Sequence, residues 1–322
     1  MAGKLDLDLD LDLDLDLRAG RGTGRGPRYN TDDFPRLIPP APSVNVPVKR
    51  YGEFWDPAHR AWAYVREFIA DFPAAVAPNT PITLIRDDIN RQHFIRVPND
   101  PAAVHPLNTP ARMTAQVVGV LNASIDRADR ALEIIDQASG QGALNYWTGL
   151  LRIDPSKDSN TILLILVAHK IGEFVAMGLK EHYRMRRPAQ VYPWIMPLID
   201  GPDTPSFPSS HSLQAHLISG VLKLALTPQV GPPPVAAGAP PSVVPFPPLL
   251  APLPYPETAR ALDELADRVA YNREVAGVHY RMDSRAGHYA ALVCVQKLWA
   301  LGAGSDFRNL VNAASAELSD LP

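Results

Sequence analysis

Residues 161–180 read TILLILVAHKIGEFVAMGLK, and this stretch decides the fold. Its apolar residues cover more than one face of a helix, whereas a helix on a protein surface shows a single apolar stripe. Ser156, Asp158 and Ser159 precede it, and residues of these types commonly cap helix N-termini. We therefore expect a buried, central helix here.

Helical spacing continues on both sides of this stretch. Apolar residues recur at three- and four-residue intervals, which is the pattern of amphipathic helices. The segments concerned are residues 54–72, 111–138, 209–226 and 257–301. Ser209 or Ser210 is suited to cap the third segment, and Gly277 is expected to break the last one. Because strand patterns are scarce, we predict an all-α fold.

The bulk composition excludes some classes of partner. The chain has 322 residues, a formal net charge of -3 and one cysteine. The slightly acidic balance argues against a nucleic-acid partner, which normally requires a clearly basic surface. A single cysteine cannot form an internal disulfide, and the apolar neighbours of Cys294 predict a buried, unreactive thiol.

Two segments lack a helical pattern. Residues 1–28 are of low complexity, with Leu and Asp alternating from Leu5 to Leu17, and they predict a disordered tail. An edge strand is the alternative, because alternation is also the period of a strand. Residues 228–256 are rich in proline and predict a surface loop or lid. The rest of residues 29–322 is expected to form one α-helical domain.

The sequence shows no targeting or membrane signal. The N-terminus lacks the basic start, apolar run and cleavage site of a signal peptide. The apolar stretches at residues 162–167 and 213–226 are either too short to span a bilayer or interrupted by histidine and lysine. We therefore predict no transmembrane helix, no membrane partner, and a cytoplasmic or otherwise soluble protein.

Three short segments carry groups suited to bind an anion. They are residues 180–188 (KEHYRMRRP), 208–211 (PSSH) and 273–283 (REVAGVHYRMD). Lys180 and Arg187 are two helical turns apart, so both are expected on one side of a helix that ends at Pro188. A planar guanidinium and a compact ammonium together suit an oxyanion with several equivalent oxygens.

The second segment lies where a loop is expected to enter a helix. The Ser209 hydroxyl and the backbone N–H groups of Ser210 and His211 can face an anion at the positive end of the helix dipole. His211 titrates near neutral pH, so it can donate or accept a proton at the same anion.

The third segment supplies a reactive histidine and its partner. His279 and Asp283 are four residues apart, so on a helix the carboxylate can hold one imidazole tautomer and leave the other nitrogen available. Arg273 adds a third cation. Each residue alone is more typical of a helix end, an N-cap or a structural histidine, but together they predict an oxyanion site. We expect no recognisable metal set among the flanking histidines, His169, His182, His216 and His288.

These segments resemble the three-part signature of the type 2 phosphatidic acid phosphatase superfamily, written K-x6-R-P, P-S-G-H and S-R-x5-H-x3-D. That superfamily also contains the vanadium-dependent haloperoxidases. The resemblance covers residues 180–283. Ser210 stands where the family has glycine, and this replacement retains the backbone donor. Asn272 stands where the family has serine, and this replacement removes a hydroxyl contact.

The resemblance implies a helical bundle with the oxyanion site at its centre, and it implies vanadate as cofactor, with phosphate able to occupy the same site. In a haloperoxidase, His279 would be the axial metal ligand and His211 would assist peroxide binding. In a phosphatase, His279 would form a phosphohistidine and His211 would protonate the leaving oxygen. In both, Asp283 stands behind His279, and the anion would be held by Lys180, Arg187, Ser209, Ser210 and Arg273.

Three functions remain open on this resemblance. We favour a vanadium haloperoxidase, because Arg281 follows His279 as in haloperoxidases and because spanning helices and a signal peptide are not seen. Its substrates would be hydrogen peroxide, a halide and an organic acceptor. A soluble acid phosphatase acting on phosphate esters is the alternative, and a non-catalytic phosphate-binding protein is the second. The resemblance also implies a homodimer.

Overall fold

The computed structural model describes residues 57–70, 96–97, 100–104, 110–138, 140–154, 156–228, 231 and 255–320. Within them the helices are α1 (Pro57–Ala70), α2 (Pro110–Ala123), α3 (Arg127–Asp136), α4 (Gly140–Leu150), α5 (Ser159–Tyr183), α6 (Pro188–Val191), α7 (Ser210–Leu226), α8 (Pro256–Val275), α9 (Arg281–Ala300) and α10 (Asp306–Glu317). Single 3₁₀ turns lie at Ser124–Asp126, Pro193–Ile195 and Leu318–Asp320.

The fold is all-α, as predicted. The described strands are β1 (Arg96–Val97) and β2 (Asp100–Val104), which form one short antiparallel pair. The predicted tail at residues 1–28 lies outside the described residues. So does most of the proline-rich segment at residues 228–256, whose last residue, Pro256, is the first residue of α8.

Helix α7 lies at the centre of the bundle. All its residues from 215 to 226 are buried, and it packs against α5, α8 and α9. Helix α5 is the other strongly apolar element, with residues 163–168 buried, and α1 and α10 pack against it. The prediction of a buried helix at residues 161–180 is therefore confirmed. Because α7 is also buried on all sides, the elements that carry the candidate residues meet inside the core.

The N-terminus of α5 is capped differently from the prediction. Asp158 stands at the N-cap position, but its side chain does not cap the helix, and its Oδ2 instead accepts from the backbone N–H of Asp154 at 2.7 Å. Glu317 of α10 supplies the cap: its Oε1 accepts from the backbone N–H of Asn160 at 3.0 Å and its Oε2 from that of Thr161 at 2.7 Å. A carboxylate at this end also complements the helix dipole.

The other predicted helices are present, but some of them begin, end or break at different residues. Residues 111–138 form two helices, because a 3₁₀ turn at Ser124–Asp126 interrupts them, and the Ser124 hydroxyl bonds back to the Leu121 carbonyl at 2.7 Å. The break near Gly277 is confirmed, since this glycine has a φ of 85° between α8 and α9. Helices α4 and α10 were not predicted.

Gly287 allows α9 to approach the start of α7 closely. A Cβ atom at this position would lie 2.7 Å from the carbonyl oxygen of Ser209 and 2.9 Å from the backbone nitrogen of Leu213. Any side chain would therefore separate the two helices. Glycine at this point keeps the first turn of α9 beside the turn that enters α7.

One helical stretch among the described residues, Ser159–Val191, is long and apolar enough to cross a membrane by length and composition. Its most apolar window is 72% buried inside the protein, as is common for the core helix of a soluble protein. Cys294 is fully buried on α9, and burial raises the pKa of its thiol to about 12, so the predicted unreactive thiol is confirmed.

Candidate active site

Lys180 and Arg187 reach the site from a helix end and from the segment after it. The prediction of one helix continuing through Arg187 is wrong, because α5 ends at Tyr183 and Arg184 takes a left-handed conformation with a φ of 46°. Arg187 is extended, as is usual for a residue before proline, and it precedes α6. Both cationic side chains are nevertheless buried, with 1% of Lys180 and 5% of Arg187 exposed.

The Arg187 guanidinium is held against the segment before α9. Its Nε donates to the Thr204 carbonyl at 2.8 Å and its Nη2 to the Thr204 hydroxyl at 3.1 Å. Its Nη1 donates to the Val278 carbonyl at 2.9 Å and lies 3.3 Å from Nε2 of His279. Arg187 therefore stands directly beside the reactive nitrogen of the third segment.

The turn before α7 has the predicted helix-start geometry, with Ser209 at its N-terminus. Ser209 is the N-cap residue, and its Oγ accepts from the backbone N–H of Ser212 at 3.4 Å. Its own backbone N–H donates to the Asp283 carbonyl at 3.1 Å. The N–H groups of Ser210 and His211 lie in the first turn, where no carbonyl of the same helix can accept from them. They are thus placed to bind an anion at the positive end of α7.

His211 is held as a neutral base. Its Nε2 lies 3.2 Å from the Gln137 carbonyl oxygen. Because a carbonyl only accepts hydrogen bonds, Nε2 carries the proton and Nδ1 keeps its lone pair. Desolvation of the ring, followed by the charges of Arg273 and His279, holds its pKa well below the usual range. At neutral pH, Nδ1 is therefore unprotonated.

Arg273 presents hydrogen-bond donors that no protein group uses. The side chain is 1% exposed, and Nη2 donates to the Ile134 carbonyl at 3.1 Å and to Oε1 of Gln137 at 3.3 Å. Its Nε and Nη1 are buried and have no partner among the described residues. Burial lowers the pKa of this guanidinium to about 10, so it remains charged at neutral pH. Two buried donors on a charged group without an acceptor are costly unless a ligand accepts from them.

His279 and Asp283 form the predicted pair. Nδ1 of His279 lies 3.1 Å from Oδ2 of Asp283, which also accepts from the backbone N–H of Tyr280 at 2.9 Å and the hydroxyl of Ser206 at 2.5 Å. His279 precedes the N-cap residue of α9, and Asp283 caps the helix from its first turn. The carboxylate thus holds the proton on Nδ1 and leaves the lone pair on Nε2, next to Arg187.

The electrostatics show that the three segments converge. Burial and then the charges of Arg187, Lys180 and Arg273 hold the pKa of His279 well below its usual range. Burial raises the pKa of Asp283 to about 6, although bonds from Ser206 and Tyr280 and nearby cations act against it. At pH 7, His279 is neutral and Asp283 is ionised.

The site carries an excess of positive charge. Of the residues brought together here, Lys180, Arg187 and Arg273 are cationic, and Asp283 supplies the negative charge that faces them. Burying a charge that no opposite charge compensates costs several kcal/mol of free energy, about the desolvation penalty of one ion. A polyvalent anion would neutralise this excess and accept from the unused donors of Arg273. The arrangement is therefore suited to hold an oxyanion against Nε2 of His279.

Two residues of the site were not found by the sequence analysis. Gln137 bonds His211 through its main chain and Arg273 through its side chain, and it also accepts from Nδ2 of Asn272 at 2.9 Å. Asn272 is therefore fully buried with a hydrogen-bond partner of its own. Ser206 bonds Asp283, and the carbonyl that precedes Ser206 accepts from Lys180. Neither belongs to a motif, and only the fold brings them close.

Two comparisons with known proteins bear on the identity of this chain. No family model matches it, and no curated protein matches it. The chemistry of the site therefore has to be argued from its own residues.

Proposed function

We propose that this protein is a vanadium-dependent haloperoxidase of the soluble branch of the type 2 phosphatidic acid phosphatase superfamily. The observation that carries the proposal is the charged guanidinium of Arg273, whose buried Nε and Nη1 have no acceptor among the described residues. These donors lie in a cluster with excess positive charge and beside an imidazole nitrogen that keeps its lone pair. A tetrahedral oxyanion is the ligand class that answers all three features.

Vanadate fits the groups present. His279 would bind it through Nε2, because Asp283 holds the proton on Nδ1. The oxygens would be held by Lys180, Arg187, Arg273, the Ser209 hydroxyl and the first N–H groups of α7. When bound, the metal supplies a Lewis acid that makes hydrogen peroxide reactive towards halide. The protein's part is to position that acid and to neutralise the charge on its oxygens.

His211 would be the proton-transfer group in this chemistry. Its Nε2 lies 3.2 Å from the Gln137 carbonyl oxygen, so Nδ1 keeps a lone pair that can accept the proton that hydrogen peroxide loses on binding. A phosphatase would use His211 in the opposite sense in its first step, because the leaving alkoxide must receive a proton.

A soluble phosphomonoesterase is the second candidate, because the lone pair on His279 Nε2 is also a nucleophile. In that reaction Nε2 attacks phosphorus, the P–N bond forms as the P–O bond to the alcohol breaks, and His211 gives a proton to the leaving oxygen. Water activated by His211 then cleaves the phosphohistidine and releases phosphate. The three cations would stabilise the same oxygens in this reaction.

Reconstitution with vanadate tests the proposal. The full-length protein, freed of phosphate and incubated with orthovanadate, is expected to brominate phenol red when bromide and hydrogen peroxide are present. Hydrolysis of p-nitrophenyl phosphate by vanadate-free protein is measured in parallel. Hydrolysis without bromination, inhibited by vanadate, would replace the haloperoxidase with the phosphatase.

Two variants locate the activity. His279→Ala should abolish either reaction, because the metal ligand and the nucleophile are the same atom, whereas His182→Ala, at an exposed histidine, should leave it unchanged. If both reactions fail but vanadate still binds, measured by calorimetry, the protein is a non-catalytic oxyanion binder. Full activity in His279→Ala would disprove the site itself.

A further inference from the structure

A second cluster of metal-ligating side chains lies outside the oxyanion site. His216 of α7, Asp267 of α8 and His288 of α9 each offer one ligand atom, and these atoms lie within 4.8 Å of one another. The sequence analysis expected no metal set among the flanking histidines, but the fold brings two of them, His216 and His288, close to Asp267. Spacing could not reveal the cluster, because its three members come from three different helices.

The hydrogen bonds of His216 fix its free nitrogen. Nδ1 lies 2.7 Å from the Ser212 carbonyl oxygen one helical turn earlier, so Nδ1 donates a proton to it. Metal-binding histidines are typically oriented in this way, with the second ring nitrogen donating to a carbonyl. The remaining nitrogen, Nε2, faces Oδ1 of Asp267 at 3.1 Å. When the imidazole of His216 is neutral, the lone pair on Nε2 therefore faces the Asp267 carboxylate oxygen. This contact is unfavourable unless a cation lies between the two atoms.

The separation of these two atoms suits chelation. Two donors at about 2.1 Å from one ion and at about a right angle to each other are about 3 Å apart. The ring of His288 stacks on His216 with centroids 3.8 Å apart and planes 14° apart. Nitrogen lone pairs lie in the ring plane, so His288 must turn out of this stack to complete the site. Its side chain is partly exposed, so the rotation would take place at the edge of the core.

Asp267 is the carboxylate that supplies the negative charge of this cluster. The neighbouring carboxylate, Asp263, is already bonded to the ammonium of Lys223 at 2.5 Å and to the hydroxyl of Ser219 at 2.7 Å. The Asp267 side chain is 69% exposed, whereas His216 is 5% exposed. An ion can therefore enter from solvent at Asp267 and meet the imidazole behind it.

We propose that His216, Asp267 and His288 bind one divalent transition-metal ion, such as Zn²⁺ or Co²⁺. Imidazole and carboxylate are suitable ligands for such ions, and a water molecule would complete the coordination. The ion would join α7, α8 and α9, the three helices that carry Ser209, Arg273 and Asp283. Its expected role is to hold these helices together, independently of what the oxyanion site does.

Cobalt titration of the full-length protein tests this site. Co²⁺ bound by imidazole nitrogens in a four-coordinate site gives strong visible absorption, and we expect one such ion per chain, displaced by Zn²⁺. Asp267→Asn and His288→Ala should each weaken Co²⁺ binding by at least about tenfold, since each removes a ligand. Glu264→Gln removes an exposed carboxylate from the same helix and is the matched control, with unchanged affinity expected.

Thermal unfolding provides a second measurement. Zn²⁺ should raise the Tm of the unmodified protein and of His279→Ala, but not that of Asp267→Asn. Loss of Co²⁺ binding in His279→Ala would place the ion in the oxyanion site and overturn the proposal. Equal Co²⁺ affinity in the unmodified protein, Asp267→Asn and His288→Ala would also overturn it, as would the lack of any Co²⁺ band. His216 and Asp267 would then be an ion pair.

Discussion

Asp283 determines which nitrogen of His279 can react. Its Oδ2 accepts from three donors, and one of them is the Nδ1–H group of His279. The carboxylate contacts Nδ1 and not Nε2 of the imidazole, so in the proposed function it would act as a positioning residue through His279. Its effect should depend on the ability to accept from Nδ1, not merely on its charge.

Replacing Asp283 with Asn should cut turnover by about 10³- to 10⁴-fold. The amide NH₂ group can face Nδ1 of His279 and favour the tautomer with the proton on Nε2, which removes the lone pair from the oxyanion. ¹⁵N NMR of the imidazole should show the tautomer change, and activity assays should show the loss. An unchanged tautomer with lost activity would contradict this account.

Ser206→Ala is the matched control for this prediction. It removes one of the bonds to Asp283 Oδ2 and keeps the bond to His279. The tautomer should therefore stay as it is, and activity should fall by no more than about tenfold.

The sequence predicted the charged residues of the site more completely than their neutral supports. Arg273 and His279 belong to a segment whose spacing suggested chemistry. Gln137 acts through its main-chain carbonyl and its side-chain amide, and Ser206 acts through its hydroxyl. Groups of these kinds are common along the chain and do not mark a site. Nothing in the order of residues indicates that Gln137, at the end of α3, meets Arg273 on α8.

At the scale of elements, the start of α5 depends on α10. Glu317 accepts from the backbone of Asn160 and Thr161 and also from their side chains, at 2.7 Å for Asn160 Nδ2 and 2.8 Å for Thr161 Oγ1. The first N–H groups of a helix have no acceptor within the helix, and here a carboxylate from another helix accepts from two of them.

Glu317→Gln should lower the free energy of unfolding by about 1–2 kcal/mol. The amide retains one acceptor but loses the second oxygen and the charge that complements the dipole of α5. Urea denaturation followed by circular dichroism measures the change. Glu264→Gln, at an exposed carboxylate 3.9 Å from Arg260, should change the stability little. Equal effects of the two substitutions would rule out a capping role.

The residues at which the helices end were harder to predict than the presence of the helices. The end of α5 at Tyr183 follows from Arg184 in a left-handed conformation, which the residue type does not favour. The pattern up to Pro188 allowed a longer helix, and only the tertiary structure selects the shorter one. The break at Gly277 was predictable because glycine adopts its positive φ without strain.

At the scale of the whole molecule, burial of ionisable groups makes stability depend on pH. Burial lowers the pKa of His169 to about 4 and holds those of His211, His279 and His288 well below 6.5. These four histidines bind protons in the unfolded chain but not in the folded one as the pH falls below 6.5. Stability is therefore lost on acidification.

Two buried carboxyl groups act in the opposite direction. Burial raises the pKa of Glu274 to about 7 and that of Asp283 to about 6, so the folded protein binds their protons first. Their contribution is present at low pH and is lost as the pH rises through these values. Near pH 5.5, the unfolded chain binds four more protons at the histidines than the folded protein does, and the folded protein binds two more at the carboxyl groups. The unfolded chain therefore binds two more protons in total.

The free energy of unfolding should therefore fall by roughly 2–3 kcal/mol between pH 6 and pH 5, since each net proton contributes about 1.4 kcal/mol per pH unit. Urea denaturation at a series of pH values, in buffers free of phosphate and vanadate, measures this slope. A stability that is constant or increases on acidification would mean that the histidines keep their protons in the folded protein.

The fold class followed from periodicity, because apolar residues at helical spacing extend through most of the described chain. The arrangement of the helices did not follow, since it depends on contacts such as that of Gly287 with Ser209, which bring distant segments together. The second histidine cluster has the same origin, because α7, α8 and α9 must be packed before His216 and His288 are neighbours.

Asp283 also connects two parts of the site by separate bonds. Its carbonyl accepts from Ser209 at the start of α7, and its carboxylate accepts from His279. A thermal displacement of the first turn of α9 would therefore carry the anion-binding turn and the reactive imidazole in the same direction. Such a shared displacement would keep the distance between the two groups more constant than the positions of the helices themselves.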